Sequence, residues 1–309
     1  MRILVYGAGP MGSYFAAKLG DSDQDVTILA RERRLSTLSR YLIVLENQDG
    51  VETARVKVPV LVRLSPVDAY DLVLVAVGKN HYPGVLPFLA ANISTPNVLF
   101  LGNNVEGPRE MVRLLGQERV LLGFPGVSGM VDSRVVRYSI DERPSLTFGE
   151  LDGSESERTA WIKDLFEGAG FDVNVSSNME SILRYHAALI LPLMGAFVRA
   201  EWDRKRLEQD GEGLVLMLKA MREGIGALKE LGLPIVLDNL GRIEWVPAPV
   251  MGIYARRMLG RRDLEYIFTR GPTALGEMKM LTEEFRKVLG STSKPTPCFD
   301  ELSEYIRKG

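Results

Sequence analysis

The stretch that decides the fold is Arg2-Ile-Leu-Val-Tyr6, followed at once by Gly7-Ala-Gly9-Pro10-Met11-Gly12. The first five residues form a short apolar run that is typical of a buried strand. The residues after Gly12 predict a helix, and Gly20 predicts its end. The chain therefore opens with a strand, a glycine-rich turn and a helix.

The G-x-G-x-x-G spacing in this turn has a mechanical reason. Gly7 permits the tight turn, Gly9 lets the backbone approach a pyrophosphate, and Gly12 lets the helix pack closely on the strand. The helix N-terminus would then face the phosphates with free N–H groups and the positive end of its dipole. The turn predicts dinucleotide binding, with Pro10 and Met11 among the contacting residues.

The composition is that of an ordinary globular enzyme. The 309 residues allow two domains, and 46% are hydrophobic. A net charge of −2 gives no basic field for nucleic acid or an anionic membrane surface. Cys298 is the only cysteine, which excludes an internal disulfide and a cysteine-based metal cluster. We expect a cytoplasmic protein without a signal peptide or membrane span, and with no bound metal.

The end of the second predicted strand, residues 25–29, indicates which cofactor is preferred. An acidic residue there accepts the ribose 2′-hydroxyl of NAD, whereas an arginine accommodates the 2′-phosphate of NADP. Arg31 stands at this position, with Arg33 and Arg34 close behind. Glu32 is the alternative acidic reader, and a solvated basic start to a helix over 35–41 is a second alternative. We favour NADP(H).

Polar residues follow two further predicted strands. The apolar run 71–77 ends in Gly78 and Lys79, and the run 97–101 ends in a turn that contains Asn103. Ligands of open α/β sheets bind beyond the carboxyl ends of the strands, so both residues are candidates for cofactor or substrate contacts. Residues 42–46 and 54–62 predict extended segments. Residues 123–129 predict a turn-rich connection, and 135–140 and 146–149 predict antiparallel strands.

The later part of the chain predicts helices. A helix over 157–168 and a last strand over 171–175 precede a change to helical periodicity. The predicted helices that follow cover 179–199, 212–231, 251–259, 275–289 and 299–307. We expect an α/β, Rossmann-type dinucleotide-binding domain over 1–177, and an all-helical substrate or dimerisation domain over 178–309. A homodimer is a possible assembly, although no interface can be identified from the sequence.

The order of these motifs resembles that of the ketopantoate reductase (2-dehydropantoate 2-reductase) family. The matches, in chain order, are the glycine turn, Arg31, Lys79, Asn103 in a turn resembling the family's Gln-Asn-Gly, the stretch 123–129, and Lys294-Pro-Thr-Pro297. The resemblance implies NADPH-dependent reduction of a 2-keto acid. It also implies that a lysine on the first helix of the helical domain protonates the carbonyl oxygen.

The chain departs from the family on that helix. Where the family carries a lysine and two asparagines, this sequence has Leu183, Ala187 and Leu191. Residues at i, i+4 and i+8 share one helix face, so this face is apolar here. An apolar face has no donor for a ketone oxygen that gains negative charge.

Three other residues are candidates for the missing polar groups. His186 lies one turn from Leu183 and is a candidate acid, with a packed core histidine as the alternative. Arg184 can bind a carboxylate but is a poor acid. Glu277 falls near the family's substrate-binding glutamate, and the alternative is a surface residue of an amphipathic helix.

Three functions are compatible with the sequence. The favoured one is an NADPH-dependent reductase of a 2-keto acid or related carbonyl, with Lys79, Asn103, His186 and Glu277 as catalytic candidates. A catalytically silent NADP(H)-binding sensor or scaffold is the first alternative. An opine-type dehydrogenase, which reduces an imine, is the second.

Overall fold

The computed structural model describes residues 1–31, 42–132, 134–140, 142–236, 240–259 and 264–309. These form two compact units. Unit 1 contains Met1–Gly102 and Pro108–Met179, and unit 2 contains Asn103–Gly107 and Glu180–Gly309. The predicted helix over 35–41 lies outside the described residues.

Twelve strands are described, all in unit 1. In chain order they are β1 Arg2–Tyr6, β2 Asp25–Leu29, β3 Leu42–Glu46, β4 Glu52–Lys57, β5 Val60–Leu61, β6 Leu72–Val75, β7 Val98–Leu101, β8 Val120–Gly126, β9 Ser128–Asp132, β10 Val135–Ser139, β11 Ser145–Gly149 and β12 Asp172–Val175.

Eight of these strands form the main sheet, in the order β12-β11-β8-β7-β6-β1-β2-β5. Its strands from β8 to β5 are all parallel, β11 pairs antiparallel with β8, and β12 pairs parallel with β11. The strands β1, β6 and β7 are buried almost throughout, which explains their nearly continuous apolar sequences. A second sheet has the order β4-β3-β10-β9. The α/β, Rossmann-type fold predicted for this part of the chain is confirmed.

Eleven α-helices are described in the two units. In chain order they are α1 Pro10–Asp21, α2 Leu86–Ala91, α3 Arg109–Leu115, α4 Glu157–Gly168, α5 Met179–Arg199, α6 Arg204–Gln209, α7 Gly211–Glu230, α8 Leu240–Trp245, α9 Met251–Leu259, α10 Leu264–Leu289 and α11 Pro297–Lys308. Helices α6 to α11 belong wholly to unit 2, which confirms the predicted helical domain.

Helix α1 is the centre of unit 1, because it contacts strands of both sheets. Tyr14 and Phe15 are fully buried, and the Phe15 ring stacks on the ring of Phe171 with centroids 5.0 Å apart. At its start, a Cβ on Gly12 would lie 1.8 Å from the carbonyl oxygen of Gly7. Gly7 has a φ of +118°, which L side chains rarely adopt. Glycine at these positions therefore allows the helix to begin directly against the turn.

Helix α5 is the main core helix of unit 2. Among the described residues it is the one helix long and apolar enough to cross a membrane, but 72% of its most apolar window is buried. Its buried residues pack with those of α7, α10 and α11 in one hydrophobic core. The helix spans the predicted residues, with Pro192 inside it.

Several predicted boundaries are wrong, for physical reasons. The connection predicted over 123–129 is mostly strand, because β8 continues to Gly126 and β9 begins at Ser128. Gly123 there makes room for neighbours, since a Cβ would meet the Leu101 side chain at 3.0 Å. Helix α10 begins eleven residues before the predicted start and continues through Pro272. The two predicted antiparallel strands are confirmed, because β10 pairs antiparallel with β9 and β11 with β8.

The contact between the Gly7 and Gly12 backbones leads to a stability prediction. We expect Gly12→Ala to lower the free energy of unfolding by about 1–3 kcal/mol, because the added methyl group cannot fit beside the Gly7 carbonyl oxygen. Urea unfolding would measure the loss. Gly9→Ala is the matched control, because a Cβ at Gly9 meets no atom within 4 Å and should leave stability nearly unchanged. Equal stability of both variants would contradict this account.

Candidate functional site

The glycine turn leaves the backbone open at Gly9. Gly9 is the N-cap residue of α1, has extended backbone angles, and provides no side-chain cap to the helix. A Cβ built on Gly9 would meet nothing within 4 Å, in contrast to Gly7 and Gly12. The open face therefore lies at the start of a twelve-residue helix, where backbone N–H groups and the helix dipole favour phosphate. This geometry fits the pyrophosphate of a dinucleotide.

Arg31 follows β2 and lies between two aromatic rings of unit 1. Its guanidinium carbon is 5.5 Å from the Tyr6 ring centroid and 5.2 Å from that of Phe88. The guanidinium also donates a hydrogen bond to the Tyr6 hydroxyl. Burial raises the pKa of Tyr6 and the Arg31 charge lowers it in part. The aromatic contacts hold this exposed cation at the carboxyl end of β2.

Arg63 lies over the same aromatic ring as Arg31, and no local sequence pattern predicts this pair. Strands β2 and β5 are parallel, with Leu29 opposite Leu61, so Arg31 and Arg63 both stand two residues beyond paired positions. The Arg63 guanidinium carbon is 5.8 Å from the Phe88 ring centroid. Two exposed guanidinium groups therefore share one ring at this edge of the sheet. Glu32, the alternative acidic reader, lies outside the described residues, as do Arg33 and Arg34.

Lys79 follows β6 in a short 3-10 turn, Lys79–Gly84, at the carboxyl edge of the main sheet. The residue is only 7% exposed, so Lys79 is not an ordinary surface lysine.

Two predicted site residues are brought together in unit 2. Asn103 Nδ2 lies 3.4 Å from Glu277 Oε1 on α10, and both residues are half-buried. Glu277 is therefore not the plain surface residue that the amphipathic pattern allows. Beyond Asn103, the Val105 carbonyl oxygen accepts a hydrogen bond of 3.1 Å from Arg184 Nε on α5.

Helix α5 has its apolar face in the core. Leu183, Ala187 and Leu191 are each at most 3% exposed. His186 is half-buried beside them, and desolvation lowers the pKa of its imidazole to about 4. The imidazolium form is therefore scarce at neutral pH, which weakens the case for His186 as a general acid. Within the described ranges no group of three His, Cys, Asp or Glu residues is placed to hold a metal ion.

Two sequence similarities point to the same family. Residues 3–153 match the family model described as ketopantoate reductase PanE/ApbA. A curated relative, the 2-dehydropantoate 2-reductase of Mesorhizobium japonicum, is 24% identical over 100% of this chain and 97% of its own length. Residues 3–153 are therefore similar to the ketopantoate reductase family, and the full-length relative carries the same activity in its name. This family consists of oxidoreductases, so the resemblance inferred from the ordered motifs is confirmed.

Two further proteins are similar to this chain. The uncharacterized oxidoreductase YkpB of Bacillus subtilis is 25% identical over 58% of this chain, and the match spans only 59% of YkpB. The ternary structure of D-mandelate dehydrogenase with NADH and anilino(oxo)acetate has a TM-score of 0.79 and 16% identity, and covers 100% of this chain and 97% of its own. At this identity the structural likeness shows the shared fold alone.

The lowered pKa of His186 predicts a pH-dependent loss of stability. The unfolded chain binds a proton near pH 6.5, whereas the folded chain does so only near pH 4. Stability should therefore fall as the pH drops through this window, by at most about 3 kcal/mol from this group. His186→Gln should remove that part of the loss, as measured by urea unfolding between pH 7 and pH 4.

His81→Gln is the control, because His81 is exposed and is the other histidine of the chain. It should follow the wild-type pH profile. A His186→Gln profile parallel to that of the wild type would show that the imidazole titrates normally.

Proposed function

We propose that the chain is an NADPH-dependent reductase of a 2-keto acid or related carbonyl compound. The observation that carries this proposal is the pair of guanidinium groups, Arg31 and Arg63, at the end of β2 and β5. A 2′-phosphate is a dianion with three acceptor oxygens, and two guanidinium groups match both its charge and its oxygens. A ribose 2′-hydroxyl gains nothing comparable from two cations.

The bound cofactor would supply a hydride to the carbonyl carbon of the substrate. The reaction consumes one NADPH, one proton and one keto acid, and it yields NADP⁺ and a 2-hydroxy acid. The carbon–oxygen double bond becomes a single bond, and the proton from solvent ends on the oxygen. The chain must bind the two reactants, stabilise the developing charge on that oxygen and deliver this proton.

Candidate residues exist for cofactor binding and for charge stabilisation, but none on α5 replaces the family's lysine as the acid. The Gly9 backbone and the α1 N-terminus suit the pyrophosphate, and the cationic side chain of the buried residue Lys79 is suited to hold negative charge. Asn103 and Glu277 provide a hydrogen-bonded polar pair in unit 2. The family's lysine position is occupied by the buried Leu183, so its role as acid has no equivalent on α5.

Because α5 lacks the family's lysine, two other functions also fit the chain. A silent NADP(H)-binding sensor or scaffold needs no proton donor at all. An opine-type dehydrogenase would reduce an imine, which forms from a keto acid and an amino acid and arrives already protonated at nitrogen. NADPH oxidation by a panel of keto acids, with and without amino acids, separates the three functions.

The arginine pair leads to a cofactor prediction. Arg31→Ala should weaken NADPH binding at least about tenfold, because a charge-assisted hydrogen bond typically contributes about 1.5–3 kcal/mol. Arg63→Ala should weaken it in the same direction by a smaller factor, and neither variant should change NADH binding by more than about twofold. Calorimetric titration with both cofactors is the measurement.

Arg113→Ala provides the control, since Arg113 is an exposed arginine on α3 of the same unit. It should bind NADPH like the wild type. Equal losses of NADPH and NADH affinity in Arg31→Ala would refute the assignment of the 2′-phosphate to this pair.

The apolar face of α5 leads to a prediction about ketopantoate itself. We expect its turnover to lie at least about a hundredfold below the ~10 per second of a typical enzyme. General acid catalysis contributes on the order of 10²–10⁴, and this range sets the expected deficit. Steady-state assays with ketopantoate and NADPH would measure it, and fast turnover would mean that another group replaces the lysine.

A further inference from the structure

The loop Asn103–Gly107 is fixed to unit 2 on both sides of its second residue, Asn104. Before it, Asn103 pairs with Glu277. After it, Val105 is buried in the hydrophobic core and its carbonyl oxygen accepts from Arg184. The position of the Asn104 backbone is therefore set by its neighbours, independently of its own side chain.

The Asn104 amide is the unusual group in this loop. Its residue is only 3% exposed, yet neither Nδ2 nor Oδ1 makes a hydrogen bond with any described residue. Buried side-chain amides normally have partners, and an unsatisfied one loses its hydration without compensation. Asn92 in unit 1 differs from it in one respect: it is 1% exposed and its Oδ1 also has no partner among the described residues, but its Nδ2 donates to the carbonyl oxygens of Ser65 and Asp68.

The chemistry of an amide restricts what can satisfy it. Nδ2 needs an acceptor and Oδ1 needs a donor, so the partner must offer both. A 2-hydroxy acid does so, with a carboxylate oxygen that accepts and an adjacent hydroxyl that donates. A 2-keto acid offers acceptors for Nδ2, and reduction then creates the donor that Oδ1 lacks.

A cation, Arg184, lies near Asn104, although the carboxylates of Glu277 and Glu284 also bind this loop. The Arg184 guanidinium is held at the carbonyl oxygen of the next residue, Val105, and its side chain is only 18% exposed. Its Nη1 also pairs with Glu180, which is 55% exposed. This partly buried guanidinium can attract a carboxylate more strongly than a solvated one.

From these observations we infer that Asn104 is a substrate-binding residue for the 2-keto acid and 2-hydroxy acid pair. Nδ2 donates to an oxygen of the acid, and Oδ1 accepts from the hydroxyl that the reduction forms. Asn104 is neutral and supplies no proton, so the hydroxyl proton still comes from solvent. The inference rests on the proposed function, and it deepens that function by assigning the group that distinguishes the hydroxy acid from the keto acid.

The decisive variant is Asn104→Leu, which has nearly the same volume and no polar atoms. Its melting temperature without ligand should equal or exceed that of the wild type, because no protein hydrogen bond is lost. NADPH affinity by calorimetry should stay within about twofold. The KM for the best keto acid of the panel should rise at least about tenfold, because a polar substrate loses its partner.

Binding of the product gives a readout that does not depend on turnover. The probes are pantoate, mandelate and lactate, each added with NADP⁺ in a thermal-shift assay. The wild type should be stabilised by at least one of them, and Asn104→Leu should lose that shift. Asn104→Ala should lose it as well, which covers the case that the leucine variant does not fold.

Asn92→Leu is the matched structural control. The same substitution there removes two hydrogen bonds, so its melting temperature should fall while hydroxy-acid binding per folded molecule is kept. If Asn104→Leu is destabilised like Asn92→Leu, or keeps an unchanged KM and thermal shift, the inference is overturned. A wild type that binds NADPH but neither reduces nor binds any probe overturns the proposed function and the inference together.

Discussion

The close approach of two backbones, at Gly7 and Gly12, is the constraint on which unit 1 depends. A single methyl group at Gly12 would overlap the Gly7 carbonyl oxygen, so α1 can start against the turn only because the position has no side chain. Helix α1 then fills the space between two sheets with Tyr14, Phe15 and their neighbours. The same contact directs the start of the helix toward the open face at Gly9. The packing of α1 and the position of the open backbone at Gly9 therefore both depend on the contact between Gly7 and Gly12.

Helix α5 has an apolar, buried face at the positions where the resemblance to ketopantoate reductases predicts polar groups. Leu183, Ala187 and Leu191 form part of a nearly dry helix face, and the adjacent His186 is kept neutral by burial. Burying such an apolar face costs less free energy than burying three polar side chains, because each polar side chain requires a hydrogen-bond partner. The polar groups that unit 2 offers instead lie on the loop Asn103–Gly107 and on the residues of α5 and α10 that hold it. The substrate contacts proposed above accordingly lie on the loop and not on the apolar face of the helix.

The strands and helices that local sequence patterns determine could be predicted from the sequence. Strand β1, helix α4 and helix α5 have the predicted bounds, because burial and periodicity coincide over their whole length. Strand β8 was missed because Gly123 reads as a turn residue, although it is a strand residue chosen for close packing. Arg63 was missed because its significance comes from the β2–β5 register, which no local pattern contains. The environment of Asn104 depends on contacts such as the one between Val105 and Arg184, which are about eighty positions apart in the chain. Local sequence patterns could not predict it.

The register of β2 and β5 also has a consequence for how the protein can change. Arg31 and Arg63 each stand two residues beyond Leu29 and Leu61, which pair on adjacent parallel strands, so the sheet sets where the two chain segments that carry them begin. Either side chain can be exchanged without moving the backbone that carries the other. Both arginines belong to unit 1, and the residues proposed to contact the substrate belong to unit 2, so the proposed cofactor and substrate residues lie in separate parts of the chain. Such a layout lets the two preferences drift, or be redesigned, one at a time.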